Sequence, residues 1–224
     1  MDVTSPDAGL IVEHFPAATR SLRVACVTET YPPEVNGVSL LVEGLRARNH
    51  DVQLLRPRQA RMQTADEGER FQEVLLRGMP IPRYPSLRMG MPSKRALVKL
   101  WTLHRPDVVH IATEGPLGWS ALQAALHLKL PVCSDFRTKS HSYTQHSPIG
   151  WLRKPIMGYL RKFHNRTLRT MVPTDALRAE LAAEGFERLE VVARGVDTRQ
   201  FDPARRSEQL RAQWGADDET LVVA

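Results

Sequence analysis

Short apolar runs alternate with longer amphipathic ones along most of this chain, a rhythm that predicts βαβ units around a parallel sheet. Leu22 to Thr28 (LRVACVT) reads as the first strand. The turn-rich loop ETYPPEVNG follows, and SLLVEGLRAR then carries Leu40, Leu41 and Leu45 in a helix that Asn49 stops. HDVQLL is the next strand, closed by Pro57; residues 58–70 are polar and read as a loop, and Glu73 to Arg77 as a short strand. PIPRYPSLRMGMPS has four prolines and one glycine, which predict irregular chain. Ser93 caps a helix, KRALVKLWTLH, with Leu97, Leu100 and Trp101 on one face. DVVHIA is nearly continuous apolar sequence, as in a strand covered on both faces.

After TEGPLG, the stretch WSALQAALHL is helical and PVCSDF is a strand. Pro155 opens a basic helix that runs to about Leu168. RTMVP is a strand, TDALRAELAAEGF a helix with Thr174 at its N-cap and Gly185 at its end, and LEVVA a strand. Six or seven strands thus alternate with four or five helices between residues 21 and 196. Right-handed crossovers make the expected fold an α/β, Rossmann-like doubly wound parallel sheet. Residues 1–20 read as a disordered leader and 21–202 as the α/β domain; residues 203–224 read as a linker and the start of a second domain, because ADDETLVVA opens a strand that needs neighbours.

Composition changes this picture little. Of 224 residues 42% are hydrophobic and 25% charged, ordinary for a globular protein. No run approaches about 18 apolar residues, so no transmembrane helix is expected. The leader lacks the basic start and apolar core of a secretory signal. Cys26 and Cys133 each lie inside an apolar run without a short spacing, which favours neither a disulfide framework nor a zinc site. Reduced, structural thiols in a cytoplasmic protein are the expectation. No HExxH pattern or Asp-rich calcium loop occurs, so no metal is expected.

Charge adds one feature. The net charge is +6, and residues 153–169 hold Arg153, Lys154, Arg161, Lys162, Arg166 and Arg169 without an acid. Such a block suits nucleic acid, anionic lipid or an acidic ligand, and charge alone does not choose. Apolar residues beside it (Trp151, Leu152, Ile156, Met157, Tyr159, Leu160 and Phe163) would let the helix dock on an anionic membrane or simply pack on the sheet.

Ligands of open α/β sheets bind beyond the carboxyl ends of the strands, so the loops there are the candidates. Asn36 and Gly37 precede a helix start, where exposed N–H groups favour a phosphate; a turn that merely needs glycine fits equally well. GxGxxG and GxxxxGK[ST] are both absent, which disfavours an ordinary dinucleotide enzyme or nucleoside triphosphatase. Asp135, Arg137, Lys139, His141, Tyr143 and His146 crowd a third loop, either as a site or as solvated residues. His104 and His127 read as surface or packing residues and His110 as a buried, hydrogen-bonded one.

In this order, RVACVTETYPPEVNGV, RPDVVHIATEGPLGWSAL, GWLRKPIMGYLRKFHNR, MVPT and RGVDTRQFDP make residues 22–224 resemble the amino-terminal domain of GT-B fold retaining glycosyltransferases of the group-1/family-4 class. The resemblance is strongest to bacterial members that act on lipid or polysaccharide precursors. It implies transfer of a mannose- or glucose-type hexose from a nucleoside-diphosphate sugar, with retention and without a metal or other cofactor. Partners would be the donor, a lipid or glycan acceptor and an anionic membrane surface under the basic helix, with no nucleic acid; the location would be cytoplasmic, with peripheral attachment to the inner face of the membrane.

By the same resemblance Asn36, Gly37 and Val38 form the donor phosphate loop, and Glu114, Arg137, His141 and Tyr143 are acceptor-side candidates. Arg194, Gly195 and Asp197 belong to a hinge or cleft loop. The family's histidine in a Tyr/Phe-His-Thr motif is replaced by Phe136-Arg137-Thr138, and arginine cannot act as a base near neutrality. The first helix lacks about one turn, and Asn49 stands where relatives carry glycine. The acidic pair that grips the donor sugar belongs to the family's second domain, so the chain alone is expected to be inactive. Rival readings are a non-catalytic Rossmann-like binding domain, or orphan, and a GT-B sugar-nucleotide epimerase.

Overall fold

The computed structural model describes residues 20–29, 37–60, 62–81, 84–136, 153–193, 202–217 and 219–220. In chain order the elements are β1 (Arg23–Val27), α1 (Gly37–Ala47), β2 (Asp51–Pro57), β3 (Glu67–Gly68), β4 (Phe71–Leu76), β5 (Gly78–Ile81) and β6 (Tyr84–Gly90). There follow α2 (Lys94–Leu103), β7 (Val108–Ile111), α3 (Pro116–His127), β8 (Val132–Asp135), α4 (Arg153–His164), β9 (Arg169–Val172), α5 (Asp175–Ala183), β10 (Leu189–Val191) and α6 (Glu208–Gln213). The main sheet has the order β10-β9-β8-β7-β1-β2-β4-β3. All its neighbours pair in parallel except the short edge strand β3. Strand order therefore reverses between β1 and β7, as a doubly wound Rossmann-like sheet requires.

Helices cover both faces. Val38 and Val42 of α1 pack on Val24, Cys26, Val52, Leu54 and Phe71. On the other face Leu97 and Trp101 of α2 and Leu117, Ala121 and Leu122 of α3 meet Ala25, Val27, Leu55, Val109 and Ile111. A third cluster joins Leu160 of α4 and Leu181 of α5 to Phe136, Val172 and Phe186. Fully burying a Val or Leu contributes roughly 1.5–3 kcal/mol, more than a typical cap at about 1 kcal/mol, so these clusters set the stability. Trp101 is sealed, and its indole N–H donates to Gln53 Oε1 at 2.9 Å.

Several sequence expectations hold in detail. Asn49 has φ 63° after α1 and Gly185 φ 84° after α5, the left-handed stops anticipated for both helices. Thr174 Oγ1 accepts from Leu177 N at 3.2 Å. Ser93 occupies the N-cap position of α2, but its hydroxyl donates to Met91 O and caps nothing. Leu40 is half exposed, because the buried stripe of α1 runs through Val38 and Val42 instead.

The proline-rich stretch departs from expectation: β5 and β6 form an antiparallel ribbon, with a register shift between Pro80 and Ile81. Opposite Pro80 stands Arg88, whose N–H donates to Gln59 Oε1 at 2.9 Å instead of needing a ladder partner. Each strand of a two-stranded ribbon has one side without a neighbour, and prolines there forfeit no ladder bond. The basic helix also ends earlier than expected, at His164, with Arg169 already in β9.

The chain divides into two units, Met1–Val192 and Ala193–Ala224. Within the second, Asp202 Oδ1 caps a 3-10 turn (Pro203–Arg205) and Ser207 Oγ caps α6. The strand expected over ADDETLVVA falls mostly outside the described residues. No helix among the described residues is long and apolar enough to cross a membrane.

Candidate functional site

In open α/β sheets the binding crevice is expected beyond the carboxyl ends of the strands where their order reverses, here between β1 and β7. Their loops are tied together where Glu29 N donates to Thr113 Oγ1 at 2.9 Å. Two helix amino ends flank this point, those of α1 and α3, and the chain treats them differently.

The amino end of α3 is filled from within. The buried Glu29 carboxylate accepts from Leu117 N at 3.0 Å and from the N–H groups of Gly90 and Gly118. Burial raises its pKa above the usual carboxylate value, and the three N–H donors oppose that rise. Space around the carboxylate is minimal: a Cβ at Gly90 would stand 2.5 Å from Leu117 Cβ and 2.7 Å from Glu29 Oε2. An internal anion thus satisfies α3, whereas α1 begins at Gly37 with no acidic residue in its first turn. Val38 is buried in the core, so its side chain is not turned to a ligand. Asn36 lies outside the described residues.

Of the acceptor-side candidates, Glu114 lies at the carboxyl end of β7. Its Oε1 is 3.2 Å from Nε2 of the buried His164, and its carbonyl accepts from the Tyr159 hydroxyl. Burial, then the charges of Glu114 and Glu29, raise the Tyr159 pKa. Arg137, His141 and Tyr143, and the hinge residues Arg194, Gly195 and Asp197, lie outside the described residues.

The histidines sort as their sequence contexts predict: His104 and His127 are exposed and His110 is buried. Cys26, His110 and Cys133 stand side by side across β1, β7 and β8. Burial would lower the His110 pKa, but the Asp135 carboxylate, 3.4 Å from Nε2, and Cys133 raise it to about 9. Burial, with Cys133 and Asp135 nearby, pushes the Cys26 thiol up to about 12, which makes it unreactive. Among the described residues no group of three or more His, Cys, Asp or Glu side chains could hold a metal ion. An open depression lined by Glu43, Arg46, Asn49, Glu69 and Arg70 lies at the opposite, amino-terminal edge of the strands, away from the crevice.

Sequence reading missed Glu29, Ser134 and His164. His164 lies four residues after Leu160 and one after Phe163, both buried, so its place on the inward face of α4 was the available signal.

The basic helix spends most of its apolar side on the core. Phe163 and Leu160 are buried, and Ile156 and Met157 pack beside Phe136 and Val172. Trp151 and Leu152 lie outside the described residues. Arg161 donates to Glu184 O at 2.9 Å, Arg166 lies over the Trp119 ring, and Lys154 and Lys162 are exposed.

Residues 35–200 match the family model of Glycosyltransferase Family 4. The chain belongs to that family. Among curated family relatives, GDP-mannose-dependent alpha-mannosyltransferases from Mycolicibacterium smegmatis and Mycobacterium tuberculosis are 34% and 32% identical, each over 90% of this chain. The chain spans about half the length of these relatives, 55% and 54% respectively. A sucrose-phosphate synthase from Thermosynechococcus elongatus superposes with a TM-score of 0.62 at 12% identity, covering 89% of this chain and 54% of that one. This family 4 chain accordingly has the Rossmann-like fold of a GT-B amino-terminal domain.

Proposed function

We propose that this chain forms the acceptor-side domain of a retaining glycosyltransferase. In this reading a hexose, with mannose the first candidate, passes from a nucleoside-diphosphate sugar to a hydroxyl of a lipid or polysaccharide precursor. The observation that carries it is the match of residues 35–200 to Glycosyltransferase Family 4, and the start of α1 at Gly37 is the turn we assign to the donor phosphate. The likeness to GDP-mannose-dependent enzymes supports the choice of donor. Positioning of donor and acceptor supplies much of the rate in such chemistry, and in this reading Glu114, held by His164, orients the acceptor hydroxyl. The reading needs no metal ion.

The test joins this chain to the part of the Mycolicibacterium smegmatis relative that the match leaves uncovered. The joined protein is supplied with GDP-mannose or UDP-glucose and a membrane-lipid extract. Mannosyl transfer with an α-anomeric product, unchanged by EDTA, is expected. Gly37→Val should lower kcat/KM by about 10–100-fold, because a branched side chain crowds the backbone facing the phosphates. Transfer from neither donor, or wild-type kinetics in Gly37→Val, would refute the assignment.

We also propose attraction to anionic membrane through α4 and its flanks. With Leu160 and Phe163 committed to the core, the attraction rests on charge, at on the order of 1 kcal/mol per basic residue near the surface. Flotation should recover the chain with phosphatidylglycerol vesicles at low salt and release it at high salt, where screening shortens its reach. Equal recovery with phosphatidylcholine vesicles, or none with either, removes this part.

A further inference from the structure

A line of buried polar groups runs from the sheet interior to the crevice. Ser134 Oγ in β8 lies 3.2 Å from Thr167 Oγ1, 3.4 Å from Thr170 Oγ1 and 2.9 Å from His164 Nδ1. At the far side of the imidazole, Nε2 meets Glu114 Oε1 at 3.2 Å. Ser134, His164, Thr167 and Thr170 are each at most 2% exposed, whereas the Glu114 side chain retains 13% exposure. Phe136, Phe163 and Phe186 surround the imidazole, with ring centroids 5.2, 5.1 and 6.0 Å away. A histidine sealed in this way cannot touch a substrate. Among the described residues its route outward is Glu114.

The partners decide its tautomer. An ionised carboxylate only accepts, so Nε2 carries the proton and donates to Glu114. In the neutral imidazole, Nδ1 is then the acceptor for the Ser134 hydroxyl. Thr167 Oγ1 in turn lies 2.8 Å from the His164 carbonyl, to which it donates, closing the arrangement on the end of α4. Polar groups this deep are expensive unless mutually satisfied, and a satisfied network holds its members in one geometry. Tyr159, one turn before on the same helix, donates to the Glu114 carbonyl. One helix therefore clamps both the backbone and the carboxylate of Glu114.

We propose that His164 is a positioning residue: as the Nε2–H tautomer fixed by Ser134, it holds the Glu114 carboxylate in the orientation that receives the acceptor hydroxyl. The proposal rests on the acceptor-side reading given above. It assigns His164 no proton transfer and no contact with either substrate.

Kinetics of the joined transferase and spectroscopy of the chain itself test it separately. His164→Leu should lower kcat/KM for the acceptor by about 10–100-fold while leaving the donor KM within about threefold, since a displaced positioning group costs on that scale. His164→Gln, which keeps an N–H donor near the Nε2 position, should recover most of the loss. Ser134→Ala, a milder change, should fall between them. Combining His164→Leu with Glu114→Gln should be no worse than Glu114→Gln alone, because both act through one carboxylate. Equal defects in the Leu and Gln variants, or additive losses in the double variant, would overturn the proposal. In the chain labelled with 15N-histidine, His164 should resonate as the Nε2–H tautomer and shift on Glu114→Gln. A His164 protonated at Nδ1 alone, or unmoved by Glu114→Gln, defeats the positioning itself whatever the activity. Absence of any sugar transfer by the unsubstituted protein instead defeats the functional reading, and the acceptor role with it.

Discussion

Gly118→Ala should destabilise the fold by roughly 3 kcal/mol, a large effect for one methyl group. The glycine is buried in the first turn of α3, and an added Cβ would collide with the carbonyl oxygen of Thr113 and stand 3.1 Å from Ile111 Cγ2. A flexible side chain would step aside, but a backbone carbonyl at the end of a central strand cannot. Either α3 lifts off the sheet or the β7 loop shifts, and both loosen packing around Leu117 and Ala121. Gly158→Ala in α4 is the control. There a Cβ meets nothing within 4 Å, and replacing a helical glycine gains roughly 0.5–1 kcal/mol. Urea titration of both variants should give shifts of opposite sign. Equal stability of Gly118→Ala and the unsubstituted chain would disprove the close approach.

Glu29→Ala should cost about 3–5 kcal/mol, because it strips acceptors from three buried N–H groups at once. Each orphaned donor costs about 1–3 kcal/mol, and the sum is less than additive because the ribbon and α3 relax together. Glu29→Gln separates charge from hydrogen bonding. Its amide oxygen can still accept from Leu117, but its NH2 would face a donor at Gly90.

The pH dependence has a definite sign. Burial holds the folded carboxyl above its ordinary value of 4.5, so between that value and the raised one the folded chain binds the proton more tightly than the unfolded chain. The resulting stability is complete below about pH 4.5 and is lost as pH rises through the folded value. Glu29→Gln does not titrate, so the advantage of Glu29 over Gln should shrink as pH rises through that window. Denaturant melts of both chains across the window check it; an advantage that grows with pH would contradict the buried, raised carboxyl.

Local pattern carried most of the architecture. Continuous apolar runs and period-3.6 apolar spacing are properties of neighbouring residues, so they announced the parallel strands and helices α1 to α5. Turn chemistry is local too, which is why Asn49 and Gly185 were recognisable as left-handed stops. The ribbon at 78–90 escaped because its prolines argue against strands in general, while their tolerance depends on which side of a ribbon lacks a partner. Of the three leucines read in α1, Leu45 packs on the core with Val38 and Val42, whereas Leu40 stands outside.

The sequence by itself determined the class of the fold and named Glu114 as a candidate at the carboxyl edge of its strands. Only tertiary structure decided how that edge is built. Glu29 reaches the start of α3 across 88 residues, and His164 reaches Glu114 across 50. Neither separation leaves a periodic trace, because strand order, not chain order, makes these residues neighbours. The reversal between β1 and β7 brings the Glu29 loop against the α3 loop, and placing β8 beside β7 lets α4 fold back over Glu114. A carboxylate that reads in sequence as a loop acid thereby becomes the internal anion of a helix, and the histidine of a basic helix becomes the buried support of a crevice residue.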